Sequence, residues 1–459
     1  MRARPMRALM EPGIRTRVGP VGACCAAARP LEHPMRKSLH RARLRGAVVR
    51  YRAARRALHT PASTQSRRGL DWMNFFIADV QTGFGTFVAF YLAEQGWSRE
   101  SVGTALAIGG FAGVLSQIPG GALADAIKWK RGMTAIGIVS IGAAALLLAL
   151  TPTFLTVIAA QLLQGVTGGI ITPAIGAISL GLVGRRAMSV RTGRNYRFAA
   201  AGHVATAGAM GLAGAYVSEG GIFIVAAALC VPALIALARI RGDEIDYARA
   251  RNAASGKRAG EVGRVLDLAK NRRLLLFTGA IVLFQLADAS LLPLIGEDLA
   301  ATKTAHASLW MSVLVMVPQV LVALFAPWVG YHSERKGRRP LLLVGFAVEP
   351  IRALLLVFSS SFPLLLVGQV LNGISGAVIG VLTVIVVTDL TAGTGRFNLA
   401  QGTVGALSGL AAAASTFATG YIARWFGPAV GFSAIALVAG AATALIWVFT
   451  ETRPERYPD

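Results

Sequence analysis

Asp79, Asp288, Glu349 and Arg352 carry charge inside long apolar stretches of this sequence. Holding one such group at bilayer depth costs about 2.5–3.5 kcal/mol on insertion scales, so each is a candidate for function. A buried carboxyl there can bind a proton, a cation or a cationic solute, because burial makes its charge depend on a partner. Asp79 shares a helical face with Thr82, Gly83 and Thr86, at i+3, i+4 and i+7. Glu349 and Arg352 are three residues apart and can neutralise one another on a helix; the pair either faces inward or meets another protein. Two stripes of amides accompany them: Gln161 and Gln164 with Gly165, Gly168 and Thr172, and Gln369 and Asn372 with Gly373, Gly376 and Thr383. Amides donate and accept without fixed charge, which suits either a polar cavity or hydrogen bonds between helices.

Other chemistry is poorly served. Six histidines are scattered, and Cys24, Cys25 and Cys230 have no framework spacing, so neither a metal site nor a disulfide scaffold is expected. The phosphate-binding pattern Gly-x-x-x-x-Gly-Lys-Ser/Thr does not occur, so any work done on a solute draws on a gradient rather than on ATP held by such a loop. No cofactor and no enzymatic activity are expected.

The elements that must position these residues are membrane-spanning helices. The chain is 54% hydrophobic and 15% charged, more apolar than a soluble interior of this size can hide. A hydrocarbon core about 30 Å thick needs about 20 apolar residues per helical crossing. Runs of that kind are expected near 73–94, 101–123, 132–151, 155–183, 198–218 and 221–239, and again near 274–295, 308–331, 340–359, 362–389, 399–424 and 428–450. The net charge of +24 is uneven: residues 1–70 hold 17 Lys and Arg against Glu11 and Glu32. Beyond them the cations gather in alternate breaks, at Lys128, Lys130 and Arg131, at Arg185 to Arg197, at Arg239 to Arg273, at Arg335 to Arg339 and at Arg396. By the positive-inside bias those breaks and both termini are cytoplasmic, and the charge reports topology rather than nucleic-acid binding. Residues 1–70 are expected to be a disordered basic extension, an initiation site placed upstream of a start near Met73, or a targeting leader.

The two sets of runs repeat one another. At an offset of 208, Phe154, Gln161, Gln164, Gly165 and Gly168 match Phe362, Gln369, Asn372, Gly373 and Gly376. Pro119 pairs with Pro327, Gly121 with Gly330, Asp125 with Glu334, and Ala78-Asp79 with Ala287-Asp288. Downstream, Thr192-Gly193-Arg194-Asn195 reads like Thr394-Gly395-Arg396-Phe397-Asn398. Two copies of one six-helix unit are therefore expected, at 71–240 and 273–450, joined by a cytoplasmic linker at 241–272 and followed by a tail at 451–459.

Each copy carries a Gly-x-x-x-acid-basic loop after its second span. The second reads Gly330-Tyr-His-Ser-Glu334-Arg335-Lys336-Gly337-Arg338-Arg339. The first keeps Gly121 and Asp125 with Lys130 and Arg131, but Ala126 replaces an Arg and Lys128 stands where Gly is expected. Twelve spans with these loops resemble the major facilitator superfamily over roughly residues 72–450. The resemblance implies an all-α membrane fold of two pseudo-symmetric six-helix bundles. It also implies that the loops latch one conformation: a glycine for close helix approach, an acid on a neighbouring helix N-terminus, and arginines paired across the bundle. Two features common in proton-coupled members are missing, since Gln161 stands where the fourth helix often carries Arg, and the glycines of the fifth helix come without a proline.

The expected function is secondary active transport of a small solute across the cytoplasmic membrane by alternating access, coupled to protons or another ion, with efflux favoured over metabolite uptake. A membrane sensor and a lipid-modifying enzyme are the remaining classes. The expected surroundings are the solute and the lipid bilayer, and the chain is expected to act as a monomer without nucleic acid.

Overall fold

The computed structural model describes residues 62–82, 88, 91–92, 95–150, 153–216, 220–253, 268–291, 307–358 and 361–449. Twelve long helices run through them. In the N-terminal half these are α1 (Thr64–Thr82), α2 (Arg99–Ala126), α3 (Lys130–Leu150), α4 and α5 within Phe154–Tyr216, and α6 (Gly221–Ala238). The C-terminal half has α7 (Arg272–Asp288), α8 (Ala307–Lys336), α9 (Arg338–Phe358), α10 (Phe362–Leu390), α11 (Phe397–Phe426) and α12 (Pro428–Val448). Eight helices among the described residues are long and apolar enough to cross a membrane. Helices are the form that lets a chain satisfy its backbone polar groups internally in lipid.

Local chemistry sets the ends. Ser98 accepts from the Ser101 N–H to cap α2, and Asn271 accepts from the Leu274 N–H to cap α7, each satisfying one of the donors a helix start leaves orphaned. Gly184, at φ +69° and ψ 174°, breaks the long helical run into α4 (154–183) and α5 (185–216); that backbone conformation is open to glycine and strained for other residues. Leu150, Leu155, Phe417, Leu437 and Trp447 point outward from the bundle, as an apolar solvent permits.

Packing repeats between the halves. In each, the first helix lies on the fifth and sixth, the second on the fourth, and the third on the fourth and sixth. Small residues make the approach possible. Gly137 of α3 faces Ile171 of α4, as Gly345 of α9 faces Ile379 of α10; Gly165 of α4 lies on the backbone of Gly109, as Gly373 of α10 lies on that of Pro318.

Three boundaries differ from the sequence reading. α1 begins at Thr64, with Ala62, Ser66 and Leu70 buried, so helix starts inside the stretch assigned to the extension; residues 1–61 lie outside those described. α5 begins 13 residues before its expected start at 198, and the cations read as a loop lie on its first turns. Part of the linker is also ordered, with a 3-10 turn at Gly242–Glu244 and a helical turn at Tyr247–Ala250.

Candidate functional site

The halves meet at the end that carries the basic loops, through α2 against α11 and α5 against α8. A Cβ on Gly121 would collide with the Asn398 carbonyl, and one on Gly330 with the Ser189 carbonyl. One turn further along, Gly402 lies on the Gln117 backbone and Gly193 on that of Ala326. All four pairings obey one offset of 209. That register corrects the likeness of Thr192–Asn195 to Thr394–Asn398: Gly193 answers Gly402 in space, and Ser189 answers Asn398. Contact geometry constrains every turn of a helix, whereas a four-residue likeness does not.

Above each glycine sits an acid. Asp125 accepts from the Asn398 N–H (3.2 Å), the Asn398 side-chain amide (2.8 Å) and the Leu399 N–H (2.8 Å). It therefore takes up orphan donors at the positive end of α11. Glu334 accepts from the Ser189 hydroxyl of α5 and from Arg338 Nη2 (2.9 Å). Lys130 donates to the Ala124 carbonyl, as its counterpart Arg338 donates to the Ser333 carbonyl (2.7 Å). Arg131 donates to the Ala238 carbonyl, as Arg339 does to the Trp447 carbonyl. The first loop is thus the second with one more residue between acid and cation, and the substituted Ala126 and Lys128 leave both closing cations in place. Gly337 turns the second loop at φ +93°, and Arg335 lies over the Tyr331 ring, 4.5 Å from its centre.

Partners that no local pattern reveals complete the arrangement. Arg338 is fully buried and also meets Asp389 of α10 at 3.2 Å. The position equivalent to Asp389 in the N-terminal half is Gly181, and there the linker packs instead: Asp246 N–H donates to the Gly181 carbonyl, and Ile245 and Ala250 fill the space a side chain would take. Asp71 of α1 is buried and pairs with Arg191 (2.5 Å) and Arg194 (2.6 Å) of α5. Asn195 accepts from Arg191 and donates to Ser179 of α4.

The membrane-depth candidates separate. Asp79 lies in α1, but its side chain falls outside the described residues, as do Gly83, Thr86 and the side chain of Thr82. Asp288 is not alone: Arg352 Nη1 donates to Asp288 Oδ1 (2.7 Å) and Glu349 Oε1 (3.1 Å). Glu349 and Arg352 are fully buried, so they face inward and are not a surface for another protein. Gln161 and Gln369 are buried, each with its Nε2 unpartnered among the described residues. Gln161 packs on Gly109 of α2, and Gln369 accepts from Asn372 Nδ2 at 3.3 Å. Gln164 and Asn372 are half-buried. Each stripe thus has one enclosed amide and one that keeps some access.

Comparison with known proteins agrees with this architecture. The family model described as Major Facilitator Superfamily matches residues 70–294 and 280–459. An uncharacterized MFS-type transporter of Mycobacterium tuberculosis (strain H37Rv) is 35% identical over 384 residues, 83% of this chain and 92% of that protein. A class B tetracycline resistance protein of Escherichia coli is 37% identical over 109 residues, 24% of this chain and 27% of that protein. The solved structure of the nucleoside transporter NupG superposes with a TM-score of 0.58 at 15% identity, over 83% of this chain and 98% of that one. That last likeness concerns the fold.

Proposed function

The chain belongs to the major facilitator superfamily, and on that premise we propose that it is a secondary active transporter exporting a small solute across the cytoplasmic membrane by alternating access. The observation that carries the reading is the paired closure at one end: α2 on α11 and α8 on α5, in one register, each with a carboxylate across the seam. Glycine faces and polar caps line both seams beside apolar side chains that pack across the halves, Met188 and Leu399 among them, and the polar caps exchange their partners for water when the seams part. Opening that end breaks both seams together and exposes the space between the halves. Gln164 and Asn372, both half-buried, supply polar groups for a solute there. Both termini and the basic loops lie on the cytoplasmic side by the positive-inside bias, so the closed end faces the cytoplasm.

Tetracycline is the first probe, on the strength of the stretch shared with the class B resistance protein. The test is uptake into inverted membrane vesicles energised with a proton gradient, across a solute panel headed by tetracycline. Uptake by the wild type that collapses with the gradient is expected. Vesicles that move no member of the panel in either direction would refute the reading.

A further inference from the structure

Arg352 of α9 stands between two carboxylates, Asp288 at the end of α7 and Glu349 one turn away on its own helix. The cluster holds one negative charge more than it balances, deep in the C-terminal bundle. Glu349 and Arg352 are enclosed, whereas the Asp288 side chain keeps 27% of its surface, so Asp288 is the member of the cluster with an open side.

The other half of the molecule provides an internal control. In the register that joins α3 to α9, Glu349 and Arg352 answer Ile141 and Ala144, both buried and apolar. The same packing of the third helix therefore closes without a Glu–Arg pair, and of the three charges the other half keeps only the acid of the first helix, Asp79. A second sign is unused polarity: Arg352 Nε and, on neighbouring α10, Gln369 Nε2 are buried donors without a partner among the described residues. Of the elements packed on α9, α12 carries no ionisable residue and α8 none before Tyr331. On α10, Asp389 is engaged with Arg338 at the opposite end, and on α7 only Asp288 faces the cluster, Arg272 and Arg273 lying at the far terminus.

We propose that Asp288, Arg352 and Glu349 form the site of a coupling proton. A proton from water bonds to an Asp288 carboxylate oxygen and weakens the hydrogen bond from Arg352 Nη1. The guanidinium, unchanged in charge, then pairs with Glu349 alone. Loss of the proton restores the bridge. α7 and α9 are thereby joined in one protonation state and loosened in the other. The proposal rests on the transporter reading, but it locates the proton on the two helices where the usual family motifs do not.

The experiment needs no solute. Purified protein in lipid nanodiscs is titrated while infrared difference spectra record the protonated-carboxyl stretch, for the wild type, Asp288→Asn and Glu349→Gln. The expected result is a wild-type band on acidification that Asp288→Asn removes and Glu349→Gln shifts in position or in midpoint. A band unchanged in both variants would overturn the proposal. If Asp288→Asn fails to fold, Glu349→Gln alone decides, together with the double variant Glu349→Ile with Arg352→Ala, which copies the other half. That double variant is expected to fold and to move the band; an unmoved band counts against the site. Failure of the solute panel would leave this spectroscopic result standing.

Discussion

At the residue scale the clearest device is Asp125, whose three bonds to the start of α11 exist only while that seam is shut. Hydrogen bonds to a charged acceptor contribute about 1.5–3 kcal/mol each, net of the bonds to water they replace, and the cost of burying the Asp125 charge offsets part of their sum. Asp125→Ala is therefore expected to shift the equilibrium toward the open end by about 10- to 100-fold, about 1.4–2.8 kcal/mol, read as faster thiol labelling of a cysteine placed at Ser189. A labelling rate equal to that of the same cysteine in an otherwise wild-type chain would remove Asp125 from the latch. That this acid meets a helix start was legible in its loop, but its partner was not: Asn398 lies 273 residues away, and only the fold brings it near. A second residue acts outside the membrane. Burial pushes the Glu244 carboxyl up, but hydrogen bonds from the Ser63 N–H and from the Ser66 and Ser63 hydroxyls, with the charge of Arg241, hold it below the usual glutamate range. A depressed carboxyl adds stability above its unfolded value, about 4.3, and loses it as pH falls through the folded value. Glu244→Gln is expected to lower the melting temperature at pH 7 and to match the wild type at about pH 3, measured by scanning fluorimetry.

Elements, rather than single side chains, decide how the halves slide. The α2–α11 seam runs from Asp125 past Gly121 and Gly402 to Val114 and Gly409, more than two turns, so it moves as a unit. In a background without Cys24, Cys25 and Cys230, Val114→Cys with Gly409→Cys is expected to form a disulfide on mild oxidation. Transport is then lost at least 10-fold and recovers with reductant. Transport that continues while the bond is intact would mean that this seam does not open. The helices themselves were readable from hydropathy and the repeat, because lipid imposes length and polarity on every crossing. Boundaries shifted where that pressure ends: the start of α1 and the first turns of α5 lie where charge is tolerated. There Asp71, at the first residue of the expected bundle, meets Arg191 and Arg194, which looked like loop. Glu349 and Arg352 were visible as a pair for the opposite reason, since charge stands out in an apolar run. Their third partner, Asp288, needed the packing of α7 beside α9.

Across the whole molecule the two halves are not equivalent, and the linker uses the difference. Its ordered turn inserts where α4 has Gly181 instead of an acid, and it reaches the other half as well. Asn252 Nδ2 donates to the Thr388 carbonyl (2.6 Å) and the Thr391 hydroxyl, Phe397 N–H donates to the Arg251 carbonyl, and Asn398 Nδ2 donates to the Ala250 carbonyl. Asn398 thus serves Asp125 and the linker at once, tying the strap to the seam. Asn252 holds φ +59°, a left-handed conformation that asparagine tolerates and β-branched residues do not. Asn252→Val removes both side-chain bonds and strains the turn, while Asn252→Gly removes the bonds without strain. If the strap helps to hold the end shut, both variants open it, with the valine variant the stronger. The expected readout is a rate of proteolytic cleavage within residues 254–267 raised at least fivefold for Asn252→Val and less for Asn252→Gly. Equal rates in all three proteins would show that the linker only connects the halves. The cations of this segment mark its side of the membrane, yet its grip on the N-terminal half is the Asp246 N–H with the Ile245 and Ala250 side chains. Its grip on the C-terminal half is Asn252 with the Ala250 and Arg251 carbonyls, and none of these residues forms a pattern to read.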